Sequence, residues 1–272
     1  MVSALPTGEA RRRIVVVGAG SGIGAATAEH FHSRGEHVLV VDLKPNHSLA
    51  VESRRCDLRD ADDIAALLED LQPDWDLLAY VAGLPGTAPA DDVLLVNYLG
   101  MRLMVEGMLP RMRRGGAIVT VASTAAVGWE QRTDALAGLL DARDAEQVRA
   151  WQATQDPQYP VYSTSKQAAI IYSRRLAGVA WSIYGVRVNT ISPGPVHTPI
   201  LPEFEKSMGK DALDMARDAV GRHGTVDDIV PVIDFLGSPQ ARWINGQDIH
   251  VDAGFITSLL AGSPIALAHQ PN

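Results

Sequence analysis

Residues 13–24 read RIVVVGAGSGIG, and this stretch decides the fold. The run RIVVVG is apolar and β-branched, which indicates a buried strand. The segment GAGSGIG follows at once and leads into a helical pattern, AATAEHFHSRG. Glycines between a first strand and a first helix permit a tight turn and close backbone approach, so a pyrophosphate can rest on the positive end of the helix. The stretch therefore predicts a dinucleotide site formed by Gly18, Ser21, Gly22, Ile23 and Gly24.

The alternation of strand and helix patterns continues along the chain. Helical segments such as DDIAALLEDL and QAAIIYSRRLAGVAWSIYG separate apolar, β-branched runs. Such alternation implies parallel βαβ units, and nearly continuous apolar strands imply helices on both faces of the sheet. We therefore predict an α/β fold in which residues 1–272 form a single doubly wound Rossmann domain with about seven parallel strands. The later strand candidates are residues 37–43, 53–58, 76–83, 117–123, 186–192 and 248–254, of which 53–58 is the weakest.

Composition excludes several function classes. A net charge of -8 and a pI near 5.4 argue against nucleic acid as a partner. The single cysteine, Cys56, excludes an internal disulfide, which fits a reducing cytoplasm, and we expect it to be a core residue. No run of about 18 uninterrupted apolar residues suggests a membrane span, and the eight histidines lack metal-ligand spacing, so no metal is predicted. Residues 1–12 are expected to be a flexible lead-in.

The second strand candidate ends at Asp42, followed by Leu43. A carboxylate at this position can accept hydrogen bonds from the adenosine ribose and would repel a 2′-phosphate, so NAD is favoured over NADP. The alternative is an aspartate that only caps a turn, and nearby Lys44 could soften the discrimination.

Tyr162 and Lys166 lie four positions apart in YSTSK, so on a helix they share one face. A nearby ammonium lowers the pKa of a tyrosine from its usual value near 10, which would let Tyr162 exchange a proton with an alcohol or ketone. The alternative is a surface lysine beside a half-buried tyrosine.

With strand, glycine loop, acidic residue and YSTSK in order, residues 13–256 resemble the short-chain dehydrogenase/reductase family. The glycine motif is similar to the family's TGxxxGxG with Val17 in place of the threonine. YVAG, residues 80–83, stands where the family usually has NNAG, so the contacts of the missing asparagines must be replaced. The resemblance implies that Asp57 binds the adenine amine beside Leu58, and that the cofactor also meets Ala82, Gly83, Tyr162, Lys166, Pro193, Gly194, Val196 and Thr198.

The same resemblance implies a catalytic set of Asn97, Ser123, Tyr162 and Lys166. Tyr162 would transfer the proton, Ser123 would hold the substrate oxygen, and Lys166 would bind the nicotinamide ribose and lower the pKa of Tyr162. Asn97 would hold a water beside the lysine. Thr124 is a rival hydroxyl to Ser123. A non-catalytic dinucleotide sensor of the same fold is the competing interpretation, and an epimerase or dehydratase of the extended branch is a second alternative.

Ser123 and Tyr162 are 39 positions apart, which is wider than the family's usual spacing, so residues 127–156 are interpreted as a helical insertion. The chain thereby most resembles the bacterial 3α-hydroxysteroid dehydrogenase/carbonyl reductase subgroup, which implies a bulky apolar secondary alcohol or ketone as substrate. The insertion is expected to obstruct one subunit contact and leave a homodimer or homotetramer to other apolar surface. Trp129 and Trp151 would line the site entrance or pack inside the insertion. Residues 197–222 are expected to form a substrate lid, with Ile200, Leu201, Phe204 and Met208 as apolar walls or as ordinary helix packing.

Overall fold

The computed structural model describes residues 11–44 and 51–262 of the chain. Its centre is a sheet of seven parallel strands in the order β3-β2-β1-β4-β5-β6-β7, which confirms the predicted doubly wound fold. The order reverses between β1 and β4, because the chain runs outward from β1 to β3 and then returns to the other side of β1. The strands are β1 (Arg13–Val17), β2 (His37–Asp42), β3 (Glu52–Arg55), β4 (Trp75–Tyr80), β5 (Met112–Val121), β6 (Arg187–Pro193) and β7 (Asp248–Val251).

Helices cover both faces of the sheet. In the first strand, Val15 and Val17 join the core on one face while Ile14 and Val16 join the core on the other, as the two-residue repeat of a strand requires. Short 3₁₀ turns occur at Leu109–Arg111, Thr124–Ala126, Trp129–Arg132 and Pro239–Ala241, and a π-helical segment, Leu95–Gly100, joins α3 to α4. The α-helices are α1 (Gly22–Ser33), α2 (Ala61–Asp70), α3 (Ala90–Leu94), α4 (Met101–Met108), α5 (Ala137–Asp141), α6 (Ala145–Gln152), α7 (Val161–Tyr184), α8 (Leu201–Met208), α9 (Lys210–Val220), α10 (Val226–Gly237) and α11 (Phe255–Leu260).

Two strands differ from their sequence patterns. The weak candidate at 53–58 is the edge strand β3, whose polar sequence ESRR pairs with β2 through the backbone. An edge strand is stabilised by that pairing and does not need a fully apolar run. Strand β5 begins at Met112 and not at 117, with a register shift against β4 near its start.

The prediction of a flexible lead-in over residues 1–12 is wrong for its last residue, Arg12. Residues 1–10 lie outside the described part of the chain, but Arg12 is held by Glu36 at 2.9 Å and by Asp234 at 3.0 Å. The side chain of Cys56 is fully buried, as predicted. Burial raises the pKa of its thiol to about 12.

One continuous helical segment, Ala90–Arg111, is long and apolar enough to cross a membrane by length and composition alone. In the structure 72% of its most apolar window is buried inside the protein. It is packed as a core helix.

The segment between Ser123 and Tyr162 contains the two short helices α5 and α6. Five of its apolar side chains enter the main core: Leu136, Leu139, Leu140, Ala142 and Val148. The buried guanidinium of Arg102 on α4 donates to the carbonyl oxygens of Leu140 at 2.8 Å and Ala142 at 2.7 Å. The segment therefore lies against α4 as an integral part of the domain.

Candidate active site

A cavity of about 500 Å³ lies at the carboxyl ends of the strands, where the strand order reverses. Ligands of doubly wound sheets bind at this point. Each residue predicted from the sequence to contact a dinucleotide lines the cavity, and Ser123 does so as well. The fold thus brings together side chains that are widely separated in the sequence.

The glycine loop after β1 has the geometry of a phosphate cradle. Gly18 has a φ of 88°, and a Cβ there would overlap the backbone of Ala82 in the loop after β4. A Cβ at Gly24 would overlap the carbonyl oxygen of Gly18, so the first turn of α1 packs directly on the loop. Ser21 precedes α1 without a side-chain hydrogen bond to the helix, which leaves the first N–H groups free to face an anion. These features fit a dinucleotide pyrophosphate.

Asp42 combines the two roles weighed from its sequence position. Its carboxylate accepts hydrogen bonds from the backbone N–H of Gly20 at 2.8 Å and of Lys44 at 2.9 Å, so it caps the turn. It also lines the cavity. The cap holds a negative charge at the wall beside the glycine loop.

Asp57 is shared with a cation that the sequence analysis did not identify. The guanidinium of Arg59 donates to both carboxylate oxygens of Asp57, at 2.9 and 2.7 Å, and to Asp92 at 3.2 Å. The hydrogen bond from Arg59 is the main reason why the pKa of Asp57 is lowered. Arg59 and Asp92 both line the cavity. The spacing of two in DLRD was the only sequence signal for this pair.

Tyr162 lies in the first turn of α7 and is buried, with 7% of its surface exposed. Burial raises the pKa of its hydroxyl to about 12, although a hydrogen bond with the Ser123 side chain acts in the opposite direction. The predicted lowering by Lys166 is therefore wrong for this structure. The ammonium of Lys166 lies 5.8 Å from the centre of the Tyr162 ring and donates to the carbonyl oxygen of Val121 at 2.9 Å.

Lys166 is itself only 5% exposed, and burial lowers its pKa to about 8. Charge is unfavourable in such a low-dielectric setting, so the group is protonated at neutral pH but loses its proton at a lower pH than a solvated lysine does. A buried lysine of this kind at a cavity wall is a feature of functional sites.

Asn97 lies behind the cavity wall, inside the π-helical segment. Its amide accepts from the backbone N–H of Leu84 at 2.7 Å and donates to the Leu84 carbonyl and to the Ser165 hydroxyl, each at 3.0 Å. A Cβ built on Gly83 would lie 3.5 Å from Asn97 Oδ1 and 3.2 Å from Lys166 Nζ. Asn97 and Lys166 therefore approach the same glycine.

The two neighbouring hydroxyls after β5 have different partners. Thr124 donates to the carbonyl oxygen of Pro193 at 3.1 Å and so ties its turn to the loop after β6. Ser123 is hydrogen-bonded to Tyr162 and accepts from the backbone N–H of Ala125 at 3.1 Å. Both residues line the cavity, and Ser123 is the one whose hydroxyl is hydrogen-bonded to Tyr162.

The segment 197–222 forms α8 and α9 and contributes apolar side chains to the cavity. Phe204 packs against Tyr162 with ring centres 5.0 Å apart, and the neighbouring Glu203 accepts a hydrogen bond from Thr87 at 2.8 Å. The residues from this segment that line the cavity with apolar side chains are Ile200, Leu201, Phe204, Met208 and Leu213.

Within the described part of the chain, the two tryptophans of the insertion lie away from the cavity. Trp129 packs on the core with the guanidinium of Arg174 4.9 Å from its ring centre. A Cβ at Gly138 would lie 2.8 Å from Trp151, so these two residues are packed together inside the insertion. Of the two interpretations weighed from the sequence, internal packing is the one that the structure supports.

The fold and the cavity define a dinucleotide-binding α/β protein with hydroxyl and amine groups at the cavity wall. Comparison with known families matches the short chain dehydrogenase profile to residues 12–133 and the enoyl-(acyl carrier protein) reductase profile to residues 148–256. The chain belongs to the short-chain dehydrogenase/reductase family.

Relatives of known name cover nearly the whole chain. It is 35% identical over 250 residues to a coniferyl-alcohol dehydrogenase of a Pseudomonas species, covering 91% of this chain and 97% of the relative. It is 31% identical over 252 residues to the 3-alpha-hydroxysteroid dehydrogenase/carbonyl reductase of Comamonas testosteroni, covering 89% and 95%. Among solved structures, the 3-alpha-hydroxysteroid dehydrogenase of Pseudomonas sp. B-0831 in complex with NADH superimposes with a TM-score of 0.78 at 28% identity, covering 93% and 99%.

Proposed function

We propose that this protein is an NAD-dependent oxidoreductase that interconverts a secondary alcohol and its ketone, with a bulky apolar substrate. The observation that carries the proposal is the meeting of Ser123, Tyr162 and the apolar lid in one cavity beside the glycine loop. When bound, a nicotinamide dinucleotide supplies hydride exchange with the substrate carbon. The protein's own groups have to bind the substrate oxygen and move its proton.

Tyr162 is the group that moves the proton, and Ser123 holds the substrate oxygen beside it. For alcohol oxidation the tyrosine must accept a proton, and a hydroxyl with a pKa of about 12 is a poor base at neutral pH. Lowering that pKa to about 7 requires roughly 7 kcal/mol of differential stabilisation of the phenolate. Lys166 can provide part of this stabilisation if its ammonium moves from the Val121 carbonyl into the cavity. In the proposed relay, Asn97 then lies behind the lysine.

The preference for NAD rests on Asp42. Two backbone N–H groups hold its carboxylate at the cavity wall, so a 2′-phosphate would meet a fixed negative charge. The NADH complex of the 3-alpha-hydroxysteroid dehydrogenase supports the same choice. A putative NAD(P)-dependent gluconate 5-dehydrogenase from Beutenbergia cavernae has bound NADP at low occupancy, so the cofactor preference is tested below with both dinucleotides.

The apolar substrate class rests on the lid. Apolar side chains of this segment line the cavity, and one of them, Phe204, packs against Tyr162. The names of two relatives, on coniferyl alcohol and 3-alpha-hydroxysteroids, refer to ring-bearing compounds. D-threitol, named for another relative, is a small polyol and would leave these apolar walls unmatched.

The deciding experiment is a substrate panel followed by NADH absorbance. Coniferyl alcohol, a 3α-hydroxysteroid, an alicyclic secondary alcohol and D-threitol are each tested with NAD and with NADP. Turnover of the 3α-hydroxysteroid or of the alicyclic secondary alcohol with NAD supports the proposal. Turnover of coniferyl alcohol alone, which is a primary alcohol and gives an aldehyde, would contradict the secondary alcohol. Preference for D-threitol would contradict the apolar substrate, and preference for NADP would contradict the role of Asp42. Binding of NADH without turnover of any alcohol would favour the dinucleotide sensor.

We also propose that the protein is a cytoplasmic homo-oligomer whose subunits meet away from the insertion. The insertion covers α4, so assembly requires other apolar surface. Trp243, just before β7, is 88% exposed and meets Trp181 of α7 edge to face, and Val179 and Ile183 nearby in the sequence are at least half exposed. Light scattering on Trp243→Lys tests this surface: a mass unchanged from that of an oligomeric wild type would exclude it.

A further inference from the structure

Tyr80 occupies a position where the family usually has an asparagine, at the end of the central strand β4. The residue is 1% exposed and lies in the middle of the sheet, paired with Val17 on one side and Thr120 on the other. Its hydroxyl donates to the carbonyl oxygen of Val96 at 2.7 Å. A buried tyrosine hydroxyl has to find such a partner, and this one finds it on a helix.

Val96 belongs to the π-helical segment Leu95–Gly100, directly before Asn97. π-helical turns are rare, and they are frequent at functional sites because the wider turn displaces backbone and side chains from their α-helical positions. Val96 also lines the cavity. The hydroxyl of Tyr80 is therefore an external anchor on the turn that carries Asn97.

Asn97 is bonded on its other side to the backbone of Leu84 and to Ser165, and Ser165 donates to the carbonyl oxygen of Tyr162 at 2.7 Å. A chain of hydrogen bonds thus runs from the π-helical turn through Asn97 to the first turn of α7. Burial raises the pKa of Tyr80 well above its usual value, so its hydroxyl remains a donor over the whole working range of pH. The anchor does not depend on ionisation.

We propose that Tyr80 is a positioning residue whose hydroxyl fixes the π-helical turn, holds Asn97 beside Lys166 and Gly83, and so controls proton transfer at Tyr162. The effect on proton transfer rests on the proposed function, whereas the placement of Asn97 can be measured without turnover.

Tyr98 offers a matched control on the same turn. It is also fully buried, and its hydroxyl donates to the carbonyl oxygen of Leu140 at 3.1 Å, on the side of the insertion. Tyr80→Phe and Tyr98→Phe each remove one buried hydrogen bond to a carbonyl and keep the ring. We expect both to lower the melting temperature by a few degrees, roughly equally.

The two variants should differ in catalysis. Tyr80→Phe should lower kcat about tenfold, because a small displacement in a relay is costly, and should shift the pH dependence of kcat by at least about half a pH unit. Affinity for NADH should remain unchanged. Tyr98→Phe should keep kcat and the pH profile within about twofold of the wild type. If Tyr80→Phe has the same pH profile as Tyr98→Phe, Tyr80 is only structural and the proposal is overturned.

Amide hydrogen exchange tests the proposal independently of activity. The N–H of Leu84 donates to Asn97 Oδ1, so its protection reports on the position of Asn97. We expect faster exchange at Leu84 in Tyr80→Phe and unchanged exchange in Tyr98→Phe. Wild-type turnover on the substrate panel decides the proposed function separately, and unchanged protection of Leu84 in Tyr80→Phe would overturn the inference whether or not the wild type is active.

Discussion

Replacing Lys166 by methionine should make the protein more stable at neutral pH while it removes activity. Lys166 is 5% exposed, and burial lowers its pKa from 10.5 to about 8. That lowering of the pKa corresponds to about 3 kcal/mol of free energy against the charged, folded form. Methionine has a similar length but carries no charge to bury, so this penalty disappears.

Part of the gain is lost with the hydrogen bond from Lys166 to the Val121 carbonyl, which contributes about 1 kcal/mol. The expected net gain in the free energy of unfolding at pH 7 is therefore about 2 kcal/mol. Below about pH 8 the lysine is charged in both the folded and the unfolded chain, and its burial penalty is complete. As the pH rises from about 8 to 10.5, the unfolded chain keeps a proton that the folded chain has released, so the penalty shrinks.

Urea denaturation of the cofactor-free protein at several pH values, followed by circular dichroism, measures this difference. Lys166→Met should be the more stable protein at pH 7, and its advantage should vanish or reverse toward pH 10.5. Lys206 is an exposed lysine on α8, and Lys206→Met is the control that should change stability little at any pH. A Lys166→Met variant that is less stable at pH 7, or whose advantage does not change with pH, would refute the reasoning.

Four further outcomes are expected. Tyr162→Phe should retain NADH binding but less than about a tenth of the wild-type rate, as measured by steady-state kinetics and fluorescence titration, because the ring stays and the proton carrier is lost; a higher rate would exclude Tyr162 as the proton carrier. Asp42→Ala should raise the ratio of kcat/KM with NADP to that with NAD, since the fixed charge at the cavity wall is removed; an unchanged ratio would contradict its role. Gly24→Ala should destabilise the fold by at least about 2 kcal/mol in urea denaturation, because its Cβ overlaps the Gly18 carbonyl, whereas Gly35→Ala, which has open space but a φ of 80°, should cost only about 1 kcal/mol; equal losses would argue against a tight loop. The rate of alcohol oxidation should rise with pH across the neutral range while the rate of ketone reduction should not, because burial raises the pKa of Tyr162 and its protonated hydroxyl can donate a proton to a ketone but cannot take one from an alcohol. Parallel pH profiles for the two directions would contradict this assignment.

The sequence predicted the fold well because its strands have strong local signals. The central strands are apolar on both faces, and the glycine loop lies between the first strand and the first helix, so pattern and position agree. The boundary of β5 was not predictable from apolar character, since two exposed arginines and two glycines at 113–116 separate Met112, which pairs with Trp75, from the apolar run that begins at Ala117. The residues that line the cavity could be predicted because their motifs directly follow strands, and parallel strands bring their carboxyl ends to one edge of the sheet.

The electrostatics of the site could not be obtained in the same way. A spacing of four places Tyr162 and Lys166 on one helix face, but it does not say where the long lysine side chain ends. In the structure the ammonium is held by a strand carbonyl from β5, and burial dominates both pKa values. Likewise, Arg59 joins Asp57 to Asp92, residues on separate elements that only the fold brings together.

The insertion accounts for the burial of Arg102, and Arg102 in turn binds the insertion to α4. In the sequence MRLMVEGM, an arginine one turn from a glutamate suggests a surface pair on an amphipathic helix, and Glu106 does accept from Arg102 at 2.9 Å. Arg102 is nevertheless 3% exposed, because the carbonyl oxygens at the end of α5 cover and bind its guanidinium. Helix C-termini carry partial negative charge, so they are suitable partners for a buried cation. Removing residues 128–156 would therefore expose apolar core and would also remove two hydrogen-bond acceptors from a buried guanidinium. Leaving a buried charged group without its partners is strongly destabilising. The insertion has become part of the domain's core, and point substitutions on its outer surface are the way to separate its effect on assembly from its effect on folding.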